Sequence, residues 1–384
     1  MKILHAVHST DPRKGGVIET VVLFTRALKE LGHTSEILSL DPPQTRHENT
    51  QGMVVHCAGP GALNYGYSGQ FTPWLKENHA RFDAVIIHGI WQYHAVGTWR
   101  ALKDTQTPYY ILPQGMLDPW FNKCNRAKYL KKWLYWKLLE KRVFRDARRI
   151  LFTCKKEAEL AFTCFKPCTT PGEITSLGVN TPEVREEEAK AAFTEKYPHL
   201  KDKRSLLCIG RIDSKKGIEL LIEAFKRVTL DRDIFDLNLI IAGPCNKPAY
   251  LDSLKSQAKN SSSPIHFLPM ISGGLKWGSF YNSEALIVPT HQENFGLVFA
   301  EAMTCNLPVL TTTGVNIAET IESSGAGFIA PDTVEGITSL LNRWLDLDPK
   351  EKALMRIHSH DCFKQHFEIR KCAERLAQAI QDSL

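Results

Sequence analysis

Short β-branched runs alternate with longer amphipathic stretches along almost the whole chain, and this alternation limits what the chain can fold into. "KILHAVH", "TSEILSL", "GMVVHC", "DAVIIHG", "PYYILP" and "RRILFTC" read as strands. Helical stretches separate most of them, such as "GVIETVVLFTRALKELG", where Gly32 marks a carboxy-terminal stop. Strands alternating with helices imply a parallel sheet covered on both faces. Between residues 178 and 203 the pattern gives way to a charged stretch with two prolines, then resumes with "SLLCIG", "LNLIIAG", "PIHFLP", "EALIVPT" and "LPVLTT". The 384 residues exceed what one core usually covers. The expected organisation is therefore an α/β chain of two Rossmann-like βα domains, 1–180 and 181–365. A terminal helix over 366–384 is expected to pack back on the first domain.

Composition removes several function classes. Hydrophobic residues make up 43% and charged residues 23%, as in ordinary globular proteins. The start, "MKILHAVHST", reads as a strand rather than a signal peptide, and no uncharged apolar run reaches membrane-spanning length. A cytoplasmic location is expected. Ten cysteines are scattered without a C-x-x-C pair, which fits neither a zinc site nor a disulfide framework. The net charge of +6 is local, because residues 126–149 carry +8 and the rest of the chain −2. In that segment Leu130, Trp133, Leu134 and Leu138 follow helical spacing among the lysines. The favoured reading is a helix packed on the first sheet with a solvated basic face. The sharper one is contact with an anionic membrane surface, making the protein peripheral on its inner face. Nucleic acid fits less well, since no nucleic-acid fold accompanies the charge.

Ligands of open parallel sheets bind beyond the carboxyl ends of the strands, so the loops that follow strands carry the argument. With two such domains, the ligand is expected in a central cleft between them. After the first strand, "HSTDPRKGGVIET" sets Gly15 and Gly16 at a helix start. Paired glycines there admit a phosphate, and they equally make a tight turn. "GRIDSKKG" places Arg211 at a strand end and Lys216 before a helix, a cation pair suited to a diphosphate. "HQENFGLVFAEAM" holds Glu293 in a turn and Glu301 eight residues later. With the helix beginning at Phe295-Gly296, Glu301 would lie about two turns inside, and the eight residues from Glu293 to Glu301 would span about 12 Å. That span matches a sugar, two phosphates and a ribose, with helix N–H groups between for the phosphates. Capping and solvation explain the same two carboxylates as well.

"GRIDSKKG" followed by "PTHQENFGLVFAEAMTCNLPVLTT" resembles glycosyltransferase family 4, the group 1 glycosyltransferases, with Thr290 and Asn306 in place of the usual Ser and Gly. "GGVIETVVLFTRALKELGHT", "HGIWQYH" and "PQGMLDPW" extend the resemblance through the amino-terminal half. The resemblance implies a GT-B fold, with an acceptor domain first and a nucleotide-sugar donor domain second. It implies Gly15 and Gly16 near the donor phosphates, Arg211 and Lys216 on the diphosphate, and Glu293 on the transferred sugar. Asn294, Phe295, Gly296 and Leu297 would surround that sugar, and Glu301 would hold the ribose. No cofactor and no metal ion are implied. Where many relatives have histidine, this chain has Gln114, which can position a group but carries no proton charge at neutral pH. Glu293, Arg211, Lys216 and Gln114 are thus the expected catalytic set, with His88 and His94 as lesser candidates.

The implied reaction is retaining transfer from a nucleotide-diphosphate sugar to a glycan or lipid-linked hydroxyl, in the synthesis of a cell-surface polysaccharide. The alternative is a nucleotide-sugar-binding or scaffold protein that has lost turnover, which Gln114 keeps open. Neither the base and sugar of the donor nor the acceptor is written in these motifs.

Overall fold

The computed structural model describes residues 1–120, 126–164 and 170–384, apart from the side chains of 126–129, 162 and 164. The chain forms two compact units, one of Met1–Gly178 with Ile369–Leu384, the other of Val179–Glu368.

The first unit holds seven parallel strands: β1 (Lys2–Val7), β2 (Thr34–Ser39), β3 (Val54–Cys57), β4 (Ala84–His88), β5 (Tyr109–Leu112), β6 (Arg149–Phe152) and β7 (Gly172–Ile174). Their order in the sheet is β3-β2-β1-β4-β5-β6-β7. Consecutive strands lie side by side except where the order reverses between β1 and β4, a topological switch point. Strands at the centre are apolar throughout because both sheet faces are covered: all five residues of β4 are buried. Leu4 and Ala6 face one core, with Val85, Ile87 and Trp99. Val7 faces the other, with Ile18, Val21 and Val22 of the helix Gly16–Glu30. The helix Ile369–Gln381 packs against that same helix, and the Tyr110 hydroxyl hydrogen-bonds Ser383 Oγ at 2.7 Å.

The second unit repeats the design with β8 (Arg204–Ile209), β9 (Leu237–Ala242), β10 (Ile265–Leu268), β11 (Ala285–Val288), β12 (Val309–Thr312) and β13 (Gly327–Ala330), ordered β10-β9-β8-β11-β12-β13. Its switch point lies between β8 and β11. The charged stretch between the two alternating halves is structured. A helix Glu186–Lys196 buries Ala189 and Phe193 against the helix Gly273–Tyr281. A Cβ on Gly278 would stand 2.1 Å from the Ala189 carbonyl oxygen, so glycine is what lets these two helices meet.

Candidate active site

The switch point of the second sheet gathers the carboxy-terminal motifs, because the loops after β8 and β11 flank it. After β8 the chain makes a single 3-10 turn, Ser214–Lys216, capped by the Asp213 carboxylate, which accepts from the Lys215 N–H at 3.1 Å. Gly217 then adopts φ 62°, and the helix Ile218–Asp231 begins. A Cβ on Gly217 would lie 2.3 Å from the Pro289 carbonyl oxygen, so glycine lets this turn press against the loop after β11. The two loops are tied together: the His291 N–H and the Thr290 hydroxyl both donate to the Lys215 carbonyl, at 2.9 and 3.1 Å.

That contact places Lys216 against Glu293, and the ammonium group donates to Glu293 Oε2. Burial raises the affinity of the Glu293 carboxyl for a proton, but the charge of Lys216, helped by Lys215 and Arg211, outweighs it. The net effect holds the pKa below the ordinary carboxylate value. Arg211 is exposed, and its guanidinium makes no hydrogen bond or ion pair with any described residue. Three cations therefore surround one half-buried carboxylate, and one of them is free to bind an incoming anion.

The helix after β11 starts later than its sequence suggests. It spans Leu297–Thr304, with Gly296 at φ 69° as its cap. Phe295 lies outside the helix and is buried, its ring 5.4 Å from that of Phe367, which anchors the turn in the core. Glu301 accordingly sits about one turn inside the helix rather than two. It is also already paired: Lys276 Nζ, on the helix Gly273–Tyr281, donates to Glu301 Oε1 at 2.9 Å. Nothing in the sequence pairs these two residues, since Lys276 precedes Glu301 by 25 positions and belongs to no motif. Each glutamate meets a lysine through one oxygen, and its other oxygen makes no hydrogen bond with a described residue. Asn294 is fixed from the next loop by the Asn316 amide at 3.0 Å, and the Glu293 N–H donates to the Gly314 carbonyl at 2.9 Å. The N–H groups of Phe295, Gly296 and Leu297 have no backbone acceptor among the described residues. They form a donor row between the two carboxylates.

In the first unit the expected residues lie in the loops after β1 and β4, which flank the switch point, and after the adjacent strand β5. The loop after β1 is held by Asp41, which accepts from the Ser9 hydroxyl at 2.6 Å and from the Thr10 N–H at 2.7 Å. Gly15 takes φ 118°, a conformation that favours glycine, so the turn explains this residue. Gly16 has no such constraint; it is exposed, opens the helix, and a Cβ there would meet nothing within 4 Å. Gln114, two residues beyond β5, has φ 52°, and its side-chain amide lies 3.3 Å from His88 Nδ1 at the end of β4. His88 and His94 are both buried, and His94 donates from Nε2 to the His88 carbonyl at 3.0 Å. Burial lowers the pKa of both rings, that of His94 to about 4. The buried Glu157, which no motif marks, orders the Gln114 loop by accepting from the Gly115 N–H.

The basic segment departs from the favoured expectation. Leu130, Leu134 and Leu138 are 64%, 52% and 57% exposed, and Trp133 is 37% exposed. The face that packs inward is instead Trp136, Glu140, Val143 and Phe144. A π-helical turn, Trp136–Glu140, lies between the two helical runs and shifts the buried face. Glu140 accepts from the Trp91 N–H at 3.1 Å, and burial pushes its pKa up to about 7. The side chains of Arg126, Lys128 and Tyr129 lie outside the described residues.

Among the described residues, no group of three or more His, Cys, Asp or Glu is placed to hold a metal ion. None of their helices is long and apolar enough to cross a membrane.

Residues 189–358 match the model of the family Glycosyl transferases group 1, and residues 15–165 match that of the Glycosyl transferase 4-like domain. An uncharacterized glycosyltransferase of Methanocaldococcus jannaschii is 28% identical over 162 residues, 41% of this chain and 40% of that protein. The capsular polysaccharide biosynthesis glycosyltransferase CapM of Staphylococcus aureus is 28% identical over 137 residues, 35% of each chain. The alignments thus cover well under two thirds of these relatives. Among solved structures, Anabaena Alr3699/HepE in complex with UDP and glucose superposes with a TM-score of 0.74 at 14% identity, over 100% of both chains. The sucrose-phosphate synthase of Thermosynechococcus elongatus gives 0.76 at 17% identity, covering 99% of this chain and 98% of that one.

Proposed function

The chain is a group 1 glycosyltransferase with the GT-B fold, and on that premise we propose retaining transfer of a sugar from a nucleotide-diphosphate donor to an acceptor hydroxyl. The observation that carries the proposal is the arrangement at the β8/β11 switch point. Lys216 pairs with Glu293, Arg211 is unpaired beside them, and the donor row of residues 295–297 runs on towards Glu301. Arg211 and Lys216 receive the diphosphate, the free oxygen of Glu293 accepts from a sugar hydroxyl, and the free oxygen of Glu301 accepts from the ribose. Gly15 and Gly16 leave the backbone open to the donor phosphates.

In the reaction the bond from the sugar's anomeric carbon to the diphosphate breaks while the acceptor oxygen bonds to that carbon on the same face. The acceptor proton passes to the departing diphosphate oxygen. The negative charge that grows on the diphosphate is what Arg211, Lys216 and the helix start stabilise, in a role that a metal ion fills elsewhere. No resident cofactor takes part.

A lipid-linked acceptor is favoured by the exposed stripe of Leu130, Leu134 and Leu138, set among Lys131, Lys137, Lys141 and Arg142. Apolar residues beside cations suit the headgroup region of an anionic bilayer. The work of CapM in capsular polysaccharide biosynthesis supports an acceptor of cell-surface polysaccharide type.

A thermal-shift panel of UDP, GDP, ADP and their sugar conjugates tests the donor site, with UDP-sugars first because HepE binds UDP and glucose. One base is expected to raise the melting temperature selectively. Arg211→Ala is expected to lose that response and to cut turnover by about 100-fold or more, the order seen when one charge-stabilising donor is removed. Stabilisation by none of the nucleotides would replace this reading with a scaffold role.

A further inference from the structure

A column of hydrogen-bonding groups runs across the first sheet to Gln114. His5, in the middle of β1, places Nδ1 at 2.9 Å from His88 Nε2, and both rings are buried. His88 Nδ1 in turn lies 3.3 Å from Gln114 Nε2, and Gln114 is partly exposed. Burial lowers the pKa of His5 to about 3 and that of His88 far below its ordinary value, so each ring carries a single proton at neutral pH.

With one N–H per ring, the column can run in only two directions. In the first, the Gln114 NH2 donates to His88 Nδ1 and His88 Nε2–H donates to His5 Nδ1. The His5 proton must then sit on Nε2, which is buried and has no hydrogen-bond partner. In the second, His5 Nδ1–H donates to His88 Nε2, and His88 Nδ1–H donates to the Gln114 carbonyl oxygen. The buried His5 Nε2 is then a bare acceptor. Buried N–H groups are almost never left unpaired, whereas acceptors more often are. His94 follows the same rule, because its Nε2–H is paired and its buried, unpartnered atom is the bare Nδ1. The second direction needs the Gln114 amide turned by half from its placement here, which exchanges its oxygen and nitrogen in nearly the same space.

We propose that the His5–His88 pair fixes the Gln114 amide with its carbonyl inward and its NH2 outward, making Gln114 a hydrogen-bond donor to a lone-pair oxygen of the sugar substrate. The proposal rests on the reading of Gln114 as a substrate-facing residue. It explains how a residue without a titratable proton can stand where relatives carry histidine: both present an N–H. Gln114 is then a specificity-determining contact, and His5 and His88 are positioning residues behind it.

The first test needs no substrate. Full-length protein with 15N-labelled histidine is studied by two-bond 15N–1H correlation spectra, with His5→Phe and His88→Phe used to assign the signals. Both rings are expected as Nδ1–H tautomers, and an Nε2–H tautomer in either overturns the proposal. Because nothing here depends on turnover, this arm decides the direction of the column even if sugar transfer is the wrong activity. The second test is Gln114→Glu, whose carboxylate can still accept from His88 but offers no donor outward. The KM for the sugar donor is expected to rise about tenfold or more, as for loss of one substrate hydrogen bond. Gln114→His is expected to restore it to within about threefold. An unchanged KM in Gln114→Glu, with both tautomers as expected, overturns the donor role of Gln114.

Discussion

Glu293 and Glu301 look alike in sequence, yet the first sits among three cations and the second meets Lys276 from another helix. Lys216, Lys215 and Arg211 depress the pKa of Glu293, so the folded protein binds a proton there less readily than the unfolded chain. That contribution to stability is fully present above the ordinary carboxylate value of 4.5 and is lost as pH falls through the depressed folded value. Urea midpoints at pH 7 and pH 4 should therefore fall closer together in Glu293→Gln than in the parent; an unchanged difference would mean the pair contributes nothing. The glutamates themselves were legible because their spacing is part of a motif. Lys276 was not, because it meets Glu301 only after β10 and β11 are laid side by side with β8 and β9 in the sheet. Glu301 has apolar neighbours in the sequence, and a lysine from another helix already satisfies one of its oxygens. Gly15 and Gly16 show the converse limit: the letters are identical, and only the backbone separates the glycine a turn requires from the one left open.

At the scale of elements, the segment 126–149 shows how a helical pattern can be read correctly as helix and wrongly as to face. Leu130, Trp133, Leu134 and Leu138 keep helical spacing, and the π turn at Trp136–Glu140 rotates the packing face to Trp136, Val143 and Phe144. A periodicity of 3.6 residues carries no mark of that extra residue in the turn. The exposed stripe yields a direct test. The protein should float with vesicles containing anionic lipid but not with zwitterionic ones, with binding that weakens as salt rises. Leu134→Asp together with Leu138→Asp should abolish flotation without changing the urea midpoint by more than about 0.5 kcal/mol equivalent, since both side chains are exposed. Flotation unaffected by these changes would remove the stripe from the membrane contact. The helix Glu186–Lys196 was hidden for a different reason. Its charged composition breaks the alternating pattern, and the buried Ala189 and Phe193 dock it where Gly278 clears the space.

For the molecule as a whole, the fold class was legible because alternation is a property of composition along the chain and survives many substitutions. Strand order was not, since nothing local records that β4 lies beside β1 and β11 beside β8. Once the order is known, most of the chemistry falls into place: the loops after β1 and β4, and after β8 and β11, carry quoted motifs, and "PQGMLDPW" follows the adjacent strand β5. The short strands β7 and β13 escaped notice, each at a sheet edge and only three or four residues long.

Unit 2 is one unbroken stretch, Val179–Glu368, while unit 1 is closed only by Ile369–Leu384. Ile369, Cys372, Leu376 and Ile380 of the closing helix are all buried. Along the sequence unit 2 is therefore complete at residue 368, and unit 1 is complete only with the helix that follows it. A fragment of residues 179–368 should unfold cooperatively on its own, whereas residues 1–178 should do so only when a peptide of residues 369–384 is supplied. Equal stability of 1–178 with and without that peptide would contradict this order.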